Sequence, residues 1–290
     1  AVGVSTHTMH SDAVSISTKQ CQPVIYEGTG AELAITSLSY EPGIVIIKNR
    51  DANDDWMFFD TVRGATKLFH INDPANGDST HPAESTEAQT LKSFDSTGFT
   101  LGTDVQVGTT ANISRAANAT AGVSIMSYTG ISASTTSGTY AKIKHGLGKK
   151  PALIWVEALG VSSYLQMWHR SLSNATRSYI LFGANATETN FSDDRYWGPD
   201  PIPDDDHIGV GDHQSLNSQA AHIAYAFAEI QGFSAFGSYT GSGDADGPYV
   251  ELGFKPAILM IKRRDTGNWH MWDSARMTWN PAGGNSANGN

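Results

Sequence analysis

Cysteine is almost absent from this chain, since Cys21 is the single one among 290 residues. An internal disulfide is therefore excluded, and stability has to come from packing or from association between chains. No apolar run approaches the roughly 18 residues of a membrane-spanning helix. Residues 1–20 have neither the basic nor the apolar region of a signal peptide. These absences predict a protein without a membrane partner.

Charged residues are also few, at 17% of the chain, and the acidic ones predominate to give a formal net charge of -10. A nucleic-acid partner is not expected, because binding to a phosphate backbone requires clustered positive charge. Hydrophobic residues make up 39% of the chain, which is enough to build cores. Ser, Thr, Asn, Gly and Ala fill much of the remainder, a mixture more typical of all-β extracellular or virion proteins than of helical enzymes.

Catalytic and metal-binding motifs are missing: there is no G-x-S-x-G elbow, P-loop or H-E-x-x-H helix. Gly77–Thr80 resembles a hydrolase serine block, but it lies in a Pro- and Asn-rich loop that does not position a nucleophile. The acidic turns Asp51–Asp55 and Gly243–Gly247 are incomplete as calcium loops. His207 and His213 have no third zinc ligand nearby. We therefore predict no catalytic residue, no metal and no cofactor.

One loop is a candidate binding site. Arg195, Tyr196 and Trp197 lie together in the Pro- and Asp-rich stretch DDRYWGPDPIPDDD. Adjacent aromatic rings on a loop of a rigid β scaffold are suited to contact a glycan. The alternative interpretation is that this loop caps a core with its two rings, and the sequence leaves both interpretations open.

A hairpin pattern occurs three times. The stretches beginning at Pro42, Pro151 and Pro256 each have four consecutive apolar residues followed by an aromatic stripe. They are separated by 109 residues (151 − 42) and 105 residues (256 − 151). A second marker, SYTG, ends at Gly130 and Gly241 and keeps the same register. A period of this size indicates a repeated domain.

The repeat predicts an all-β fold of tandem β-sandwich or jelly-roll-like domains. Four apolar residues between turn signals favour a strand that is buried on both faces. Residues 220–233 are predicted to form a long strand in the second copy. The first copy has the polar stretch TTANISRAANATAG in its place, which we expect to be a loop. The predicted units are listed in chain order: an N-terminal arm 1–23, repeat one 24–123, repeat two 124–233 and a partial repeat three 234–290.

The aromatic residues of the hairpins are expected to be largely buried, namely Trp56, Phe58, Trp168, Trp269 and Trp272. The third copy has a hairpin but no later strands, so half a sandwich has to be covered by other apolar surface. The cover could be the preceding domain, a second copy of the chain, or further chain. We favour the last two.

The motifs resemble a known family. IIKNRD and FFDTVRGATK followed by SFDSTGFTLG, and SYTG and HGLGKKP followed by FAEIQGFSAFGSYTG, are similar to a repeated domain of unknown function. That domain occurs in tail-fibre-like and other virion proteins of tailed phages that infect marine bacteria and cyanobacteria. The resemblance covers about residues 24–280. The middle copy departs from it, with Glu157-Ala158-Leu159 in place of Lys48-Asn49-Arg50, and His169-Arg170 where the other copies have Asp.

This resemblance implies a non-enzymatic phage virion structural protein, either a tail fibre or a receptor-binding appendage. Its expected partners are other virion proteins and a host surface glycan, and by analogy with phage fibres we expect a homo-trimer. One alternative is a capsid-surface fibre or decoration protein. Another is a glycan-degrading tailspike with paired carboxylates, for which the first suspects are Asp204, Asp205, Asp206 and Glu229.

Overall fold

The computed structural model confirms the all-β class. It describes residues 21–49, 54–70, 84–104, 107, 112–117, 122–131, 140–159, 164–182, 186–191, 196–198 and 203–274. In this part of the chain no helix is long and apolar enough to cross a membrane.

In its described residues the first unit contains nine strands in two sheets. In chain order they are β1 (Cys21–Tyr26), β2 (Leu33–Ile35), β3 (Ile44–Asn49), β4 (Met57–Asp60), β5 (Lys67–His70), β6 (Ser85–Thr86), β7 (Leu91–Asp95), β8 (Gly98–Leu101) and β9 (Asn112–Ala117). The large sheet has the order β1-β9-β3-β4-β5-β6, and the small sheet has the order β2-β8-β7. β3 is rich in Val and Ile, which favour the pleated, buried surface of a sheet.

The second unit repeats this arrangement. Its strands are β10 (Val123–Thr129), β11 (Ala141–Lys144), β12 (Leu153–Ala158), β13 (Gln166–His169), β14 (Ser178–Leu181), β15 (Thr189–Asn190), β16 (His207–Val210) and β17 (Ala221–Phe227), with one short helix, α1 (Gln214–Asn217). The large sheet has the order β10-β17-β12-β13-β14-β15, and β11 pairs with β16. Position by position the large sheet has the strand order of the first unit, while the described small sheet has two strands where the first unit has three.

The hairpins keep one register in all three copies. The third hairpin consists of β18 (Ile258–Lys262) and β19 (Trp269–Asp273). Ile44 lies opposite Asp60, and Leu153 lies opposite His169 in the same way. The third hairpin places Ile258 opposite Asp273. The sequence repeat is thus a structural repeat of one antiparallel hairpin.

The prediction for residues 109–122 was wrong. Asn112–Ala117 is not a loop but the strand β9, which pairs with β1 on one edge and with β3 on the other. It holds the position that β17 holds in the second sheet. Hydrogen bonds to two flanking strands stabilise a strand whose own sequence, NISRAA, has no long apolar run, because ladder pairing uses the backbone and not the side chain.

Each large sheet has two buried faces. One face of β3 and β4 packs with the small sheet of its own unit, in a core that includes Val45, Ile47, Met57 and Phe59. The matching face of β12 and β13 packs in a second core with β16 and the 196–197 turn. The opposite faces of both sheets meet in a third cluster, which we call the shared core.

Candidate functional site

The shared core is built from the same four positions of each hairpin. The first copy contributes Ile44, Ile46, Trp56 and Phe58; the second contributes Leu153, Trp155, Leu165 and Met167; the third contributes Ile258, Met260, Trp269 and Met271. Ring contacts cross the unit boundaries, with Phe58 edge-on to Trp155 at 6.2 Å between centroids and Phe182 stacked on Trp269 at 4.5 Å. The three hairpins therefore converge on one apolar centre.

The prediction for the hairpin aromatics holds in the first two copies and in part for the third. Trp56, Phe58 and Trp168 are buried. Trp269 and Trp272 are only half-buried. Trp269 packs at the margin of the shared core, whereas Trp272 lies on the opposite face of the third hairpin. The preceding units supply a cover for the Trp269 face through the shared core, which is the first of the three covers considered from the sequence.

A polar network lies at the edge of the shared core and joins the first two units. Tyr225 on β17 donates a hydrogen bond of 2.7 Å to Oδ2 of Asp60 at the end of β4. The same oxygen accepts from Nε of Arg63, and Oδ1 accepts from the backbone N–H groups of Val62 and Arg63 at 2.9 Å. Asp60 and Tyr225 are fully buried. A buried carboxylate is tolerated when it is paired and hydrogen-bonded in this way.

Arg63 connects this network to the aromatic side chains of the shared core. Its Nη2 donates to the carbonyl oxygen of Phe58 at 3.1 Å, and its guanidinium lies 4.3 Å from the ring centroid of Phe69. This is the geometry of a cation–π contact with little solvent. Burial raises the pKa of Tyr225 well above its usual value, so the phenol stays protonated and donates.

The second copy differs from the other two at the Asp60 position. His169 replaces it in the second unit, where Nδ1 accepts from the backbone N–H of Ser171 at 3.1 Å. Burial and the neighbouring Arg170 lower the pKa of His169 to about 4. Asp273 occupies the position in the third unit and is also buried. In both of the first two copies the side chain at this position accepts a hydrogen bond from the backbone of the following turn. That side chain is a carboxylate in the first copy and an imidazole in the second.

The basic triplet that carries the family resemblance is partly structural. Lys48 and Asn49 are buried in the first unit. Nζ of Lys48 donates to the carbonyl oxygen of Asn49 at 2.6 Å, and Nδ2 of Asn49 donates to Oδ2 of Asp54 at 2.7 Å. These bonds organise the hairpin turn, and Arg50 lies outside the described residues. Glu157 replaces Lys48 in the second unit and is buried there as well.

An ion pair fixes the third hairpin to the second unit. Glu188 lies beside Arg264, whose Nε contacts Oε2, and the backbone N–H of Glu188 donates to the carbonyl oxygen of Arg264 at 2.6 Å. Oε1 of Glu188 accepts from the backbone N–H of Ser173 at 2.6 Å. Burial alone would raise the pKa of Glu188, but the hydrogen bonds from Arg264 and Ser173 outweigh it and lower the pKa to about 2.

The aromatic loop proposed for glycan contact is a core element. Tyr196 is 1% exposed and Trp197 is 2% exposed. Tyr196 stacks on Tyr179 with centroids 3.9 Å apart, and its hydroxyl donates to Oε1 of Gln166 at 2.5 Å. Nε1 of Trp197 donates to the carbonyl oxygen of Ser178 at 2.9 Å. The interpretation of these two rings as an exposed sugar platform is therefore wrong, and Arg195 lies outside the described residues.

The carboxylates suspected from the sequence serve local structure. Oδ1 of Asp204 accepts from the backbone N–H groups of Asp206 and His207 at 2.8 and 2.5 Å. Oδ1 of Asp205 accepts from the backbone N–H of Lys150 at 2.9 Å. Glu229 pairs with Arg170 at 2.7 Å on the surface. These bonds cap turns and join neighbouring segments.

The remaining candidates from the sequence are possible metal ligands and three loops. Within the described ranges, no three His, Cys, Asp or Glu side chains are grouped as metal ligands would be. Gly243–Gly247 is an exposed turn. Gly77–Thr80 and most of Asp51–Asp55 lie outside the described residues.

Sequence reasoning missed the Asp60–Arg63–Tyr225 network. Asp60 and Arg63 were visible as part of the repeated motif, but Tyr225 lies 165 residues from Asp60. The signal that could have found it is the alternation of large and small residues in Ala221–Phe227, which places Ile223, Tyr225 and Phe227 on one face. A tyrosine on that face requires a hydrogen-bond partner when it is buried.

The fold and the shared core define the class: a tandem all-β protein with three copies of one hairpin. The chain belongs to the family described as Domain of unknown function (DUF7483), whose model matches residues 17–116 and 106–290. Comparison with curated proteins and with solved structures gave no match.

Proposed function

We propose that this protein is a non-enzymatic structural component of a phage particle, a tail fibre or receptor-binding appendage that attaches to the host surface. The observation that carries the proposal is the shared core, in which equivalent residues of three hairpins pack together. Such a core makes consecutive repeats one packed body, and the resemblance of the repeat to phage virion domains supports its assignment to the virion. The proposed partners are other virion proteins and a host surface glycan.

Polar contacts between the units also favour a structural role. Arg63 and Tyr225 both donate hydrogen bonds to Asp60 at a unit boundary. Glu188 and Arg264 form an ion pair at the next boundary. These side chains hold repeats in register, which is what a spacer between a particle and its receptor requires. A trimer of chains would add avidity at the host surface, since linked binding sites raise the effective concentration.

Imaging of intact particles tests the proposal. Gold-labelled antibodies against the purified chain are expected to decorate the tail of the phage, and the purified chain is expected to compete with phage adsorption to host cells. Decoration of the capsid would instead indicate a capsid-surface fibre. Release of reducing ends from host surface polysaccharide would indicate the tailspike alternative. Absence of label from purified particles would contradict the virion assignment itself.

A further inference from the structure

The second unit has a histidine where the first and third units have an aspartate. His169 ends β13 at the position that Asp60 holds in β4 and Asp273 holds in β19. Asp60 accepts hydrogen bonds of 2.9 Å from two backbone N–H groups of the turn that follows it. Nδ1 of His169 accepts one from the backbone N–H of Ser171 at 3.1 Å. The same turn is therefore closed by a carboxylate in the first unit and by an imidazole in the second.

The imidazole can hold this turn only while it is neutral. Nδ1 needs its lone pair to accept from the N–H of Ser171, so the ring of His169 carries its single proton on Nε2. A second proton, on Nδ1, would set two N–H groups against each other and remove the hydrogen bond. A carboxylate keeps accepting at a pH where an ordinary imidazole already binds its second proton. The turn of the second unit is therefore the acid-sensitive version of the repeated turn.

The turn that follows β13 also holds the connection between the second and third units. Nη2 of Arg170 donates to Oε2 of Glu229 at 2.7 Å and to the carbonyl oxygen of Phe236. The backbone N–H of Phe236 donates to the same carboxylate oxygen at 3.0 Å. Between these two residues the chain reverses, with an antiparallel bridge from Ile230 to Ser234. Arg170 thus clamps both ends of the segment that leads from β17 toward the third hairpin.

The surroundings of His169 oppose a second proton. Its ring lies beside Phe236, with centroids 6.4 Å apart, and its strand partner on β12 is the apolar Leu153. The charged side chains beside it are Arg170, whose cation repels an imidazolium, and Glu229, whose carboxylate is bound by Arg170 and by the N–H of Phe236. Burial and Arg170 together lower the pKa of His169 to about 4. Opening the turn removes both effects, so the open form binds a proton more readily than the closed form.

We propose that His169 is an acid-sensitive latch, whose protonation in mild acid opens the turn at residues 170–172 and loosens the connection 228–236 that leads to the third hairpin. The proton binds at Nδ1 and takes the place of the hydrogen bond from Ser171. Arg170 lies on the opened turn and no longer clamps the connection. Histidine is suited to this role because its ordinary pKa of about 6.5 makes the open turn a proton acceptor in mild acid.

Two other contacts between the units do not depend on a histidine. Glu188 binds Arg264 of the third hairpin, and its pKa of about 2 keeps it ionised in mild acid. Asp60, Arg63 and Tyr225 join the first two units. The latch therefore opens one connection while the shared core stays assembled.

Hydrogen exchange of the full chain, corrected for the intrinsic pH dependence of exchange, tests the latch. Between pH 7 and pH 5 the protection of the Ser171 N–H should fall about twentyfold, because the open turn binds a proton near pH 6.5 and the closed turn only near pH 4. The N–H of Phe236 should lose protection in parallel. The N–H groups of Val62 and Arg63, in the matching turn of the first unit, should keep theirs. Constant protection at Ser171, or an equal fall at Val62 and Arg63, would overturn the proposal.

Two variants separate the proton-binding group from the clamp. His169→Asp gives the second unit the residue of the other two units and should abolish the fall in protection at Ser171 between pH 7 and pH 5. Arg170→Gln removes the clamp and should lower the protection of Phe236 at pH 7, while protection at Ser171 still falls in acid. An unchanged fall in His169→Asp, or an unchanged Phe236 in Arg170→Gln, would contradict the latch.

An NMR titration of the wild-type imidazole gives a measurement that needs no substitution. The ring protons of His169 should titrate near pH 4, and the N–H signal of Ser171 should shift with them. Titration near the ordinary value of about 6.5 would mean that the closed turn does not oppose the proton, and the proposal would be wrong.

Discussion

The hydroxyl of Tyr225 donates a hydrogen bond of 2.7 Å to the carboxylate of Asp60, and the two residues belong to different units of the chain. Because both side chains are fully buried, the bond reports directly on the contact between the units. Arg63 is the second donor to the same oxygen. Removing any one partner leaves a buried polar group with too few bonds, which costs more than the bond itself contributes.

The first prediction concerns this bond. Tyr225→Phe removes the hydroxyl and should lower the free energy of unfolding by about 1–3 kcal/mol. Urea denaturation followed by tryptophan fluorescence measures the loss. Tyr239→Phe is the control, since that ring is 50% exposed and should behave as the wild type. A double-mutant cycle with Asp60→Asn should show coupling, and independent effects would mean that the bond does not join the units.

The second prediction concerns pH and Glu188. The pKa of Glu188 is lowered from 4.5 to about 2, so its contribution is present above pH 4.5 and is lost as pH falls toward 2. Glu188→Gln should destabilise the protein at neutral pH by about 1–3 kcal/mol. The variant should also lose less stability than the wild type between pH 4.5 and 2.

An exposed ion pair provides the control for Glu188. Glu229→Gln removes the Arg170–Glu229 pair, in which both side chains are more than 40% exposed. Its effect should be below about 1 kcal/mol, as for most surface pairs. Equal effects of the two substitutions would show that the third hairpin is not held by Glu188.

The third prediction concerns His169, which is neutral in the folded protein. Its pKa is lowered from 6.5 to about 4, so the unfolded state binds a proton between these values and the folded state does not. Stability should therefore rise with pH from about 4 to 6.5. His169→Asn keeps an acceptor for the N–H of Ser171 and should reduce this slope, measured by urea denaturation at a series of pH values. Part of the slope should remain, because burial also lowers the pKa of His222. If the slope of stability against pH were unchanged in this variant, the lowered pKa of His169 would be contradicted.

The repeat could be predicted from the sequence because it depends on local pattern. Four apolar residues after each proline predicted β3, β12 and β18, and the register of each hairpin follows from that spacing. The strand β9 could not be predicted in this way. Its sequence, NISRAA, lacks the four consecutive apolar residues of β3, and it forms because β1 and β3 offer backbone partners on both sides.

The role of buried rings was harder to predict. Tyr196 and Trp197 lie in a loop with many prolines and aspartates, where exposure is the usual expectation. They are buried because the turn folds back over β13 and β14, where Gln166 and Ser178 accept their hydrogen bonds. Contacts between residues distant in the chain decide such cases, and composition does not report them.

The last prediction compares two glycines that share one motif. Gly130 and Gly241 both end the sequence SYTG, but their surroundings differ. A methyl group on Gly130 would lie 1.9 Å from the carbonyl oxygen of Ser218, so Gly130→Ala forces backbone to move and should cost about 1–3 kcal/mol. Gly241→Ala meets nothing within 4 Å and should change stability by no more than about 0.5 kcal/mol.

Thermal unfolding of the two variants measures the difference. If Gly241→Ala were as costly as Gly130→Ala, another segment would have to lie against Gly241 in the folded protein. Adding one methyl group at each glycine therefore tests whether the space beside Gly241 is free, in contrast to the close contact at Gly130.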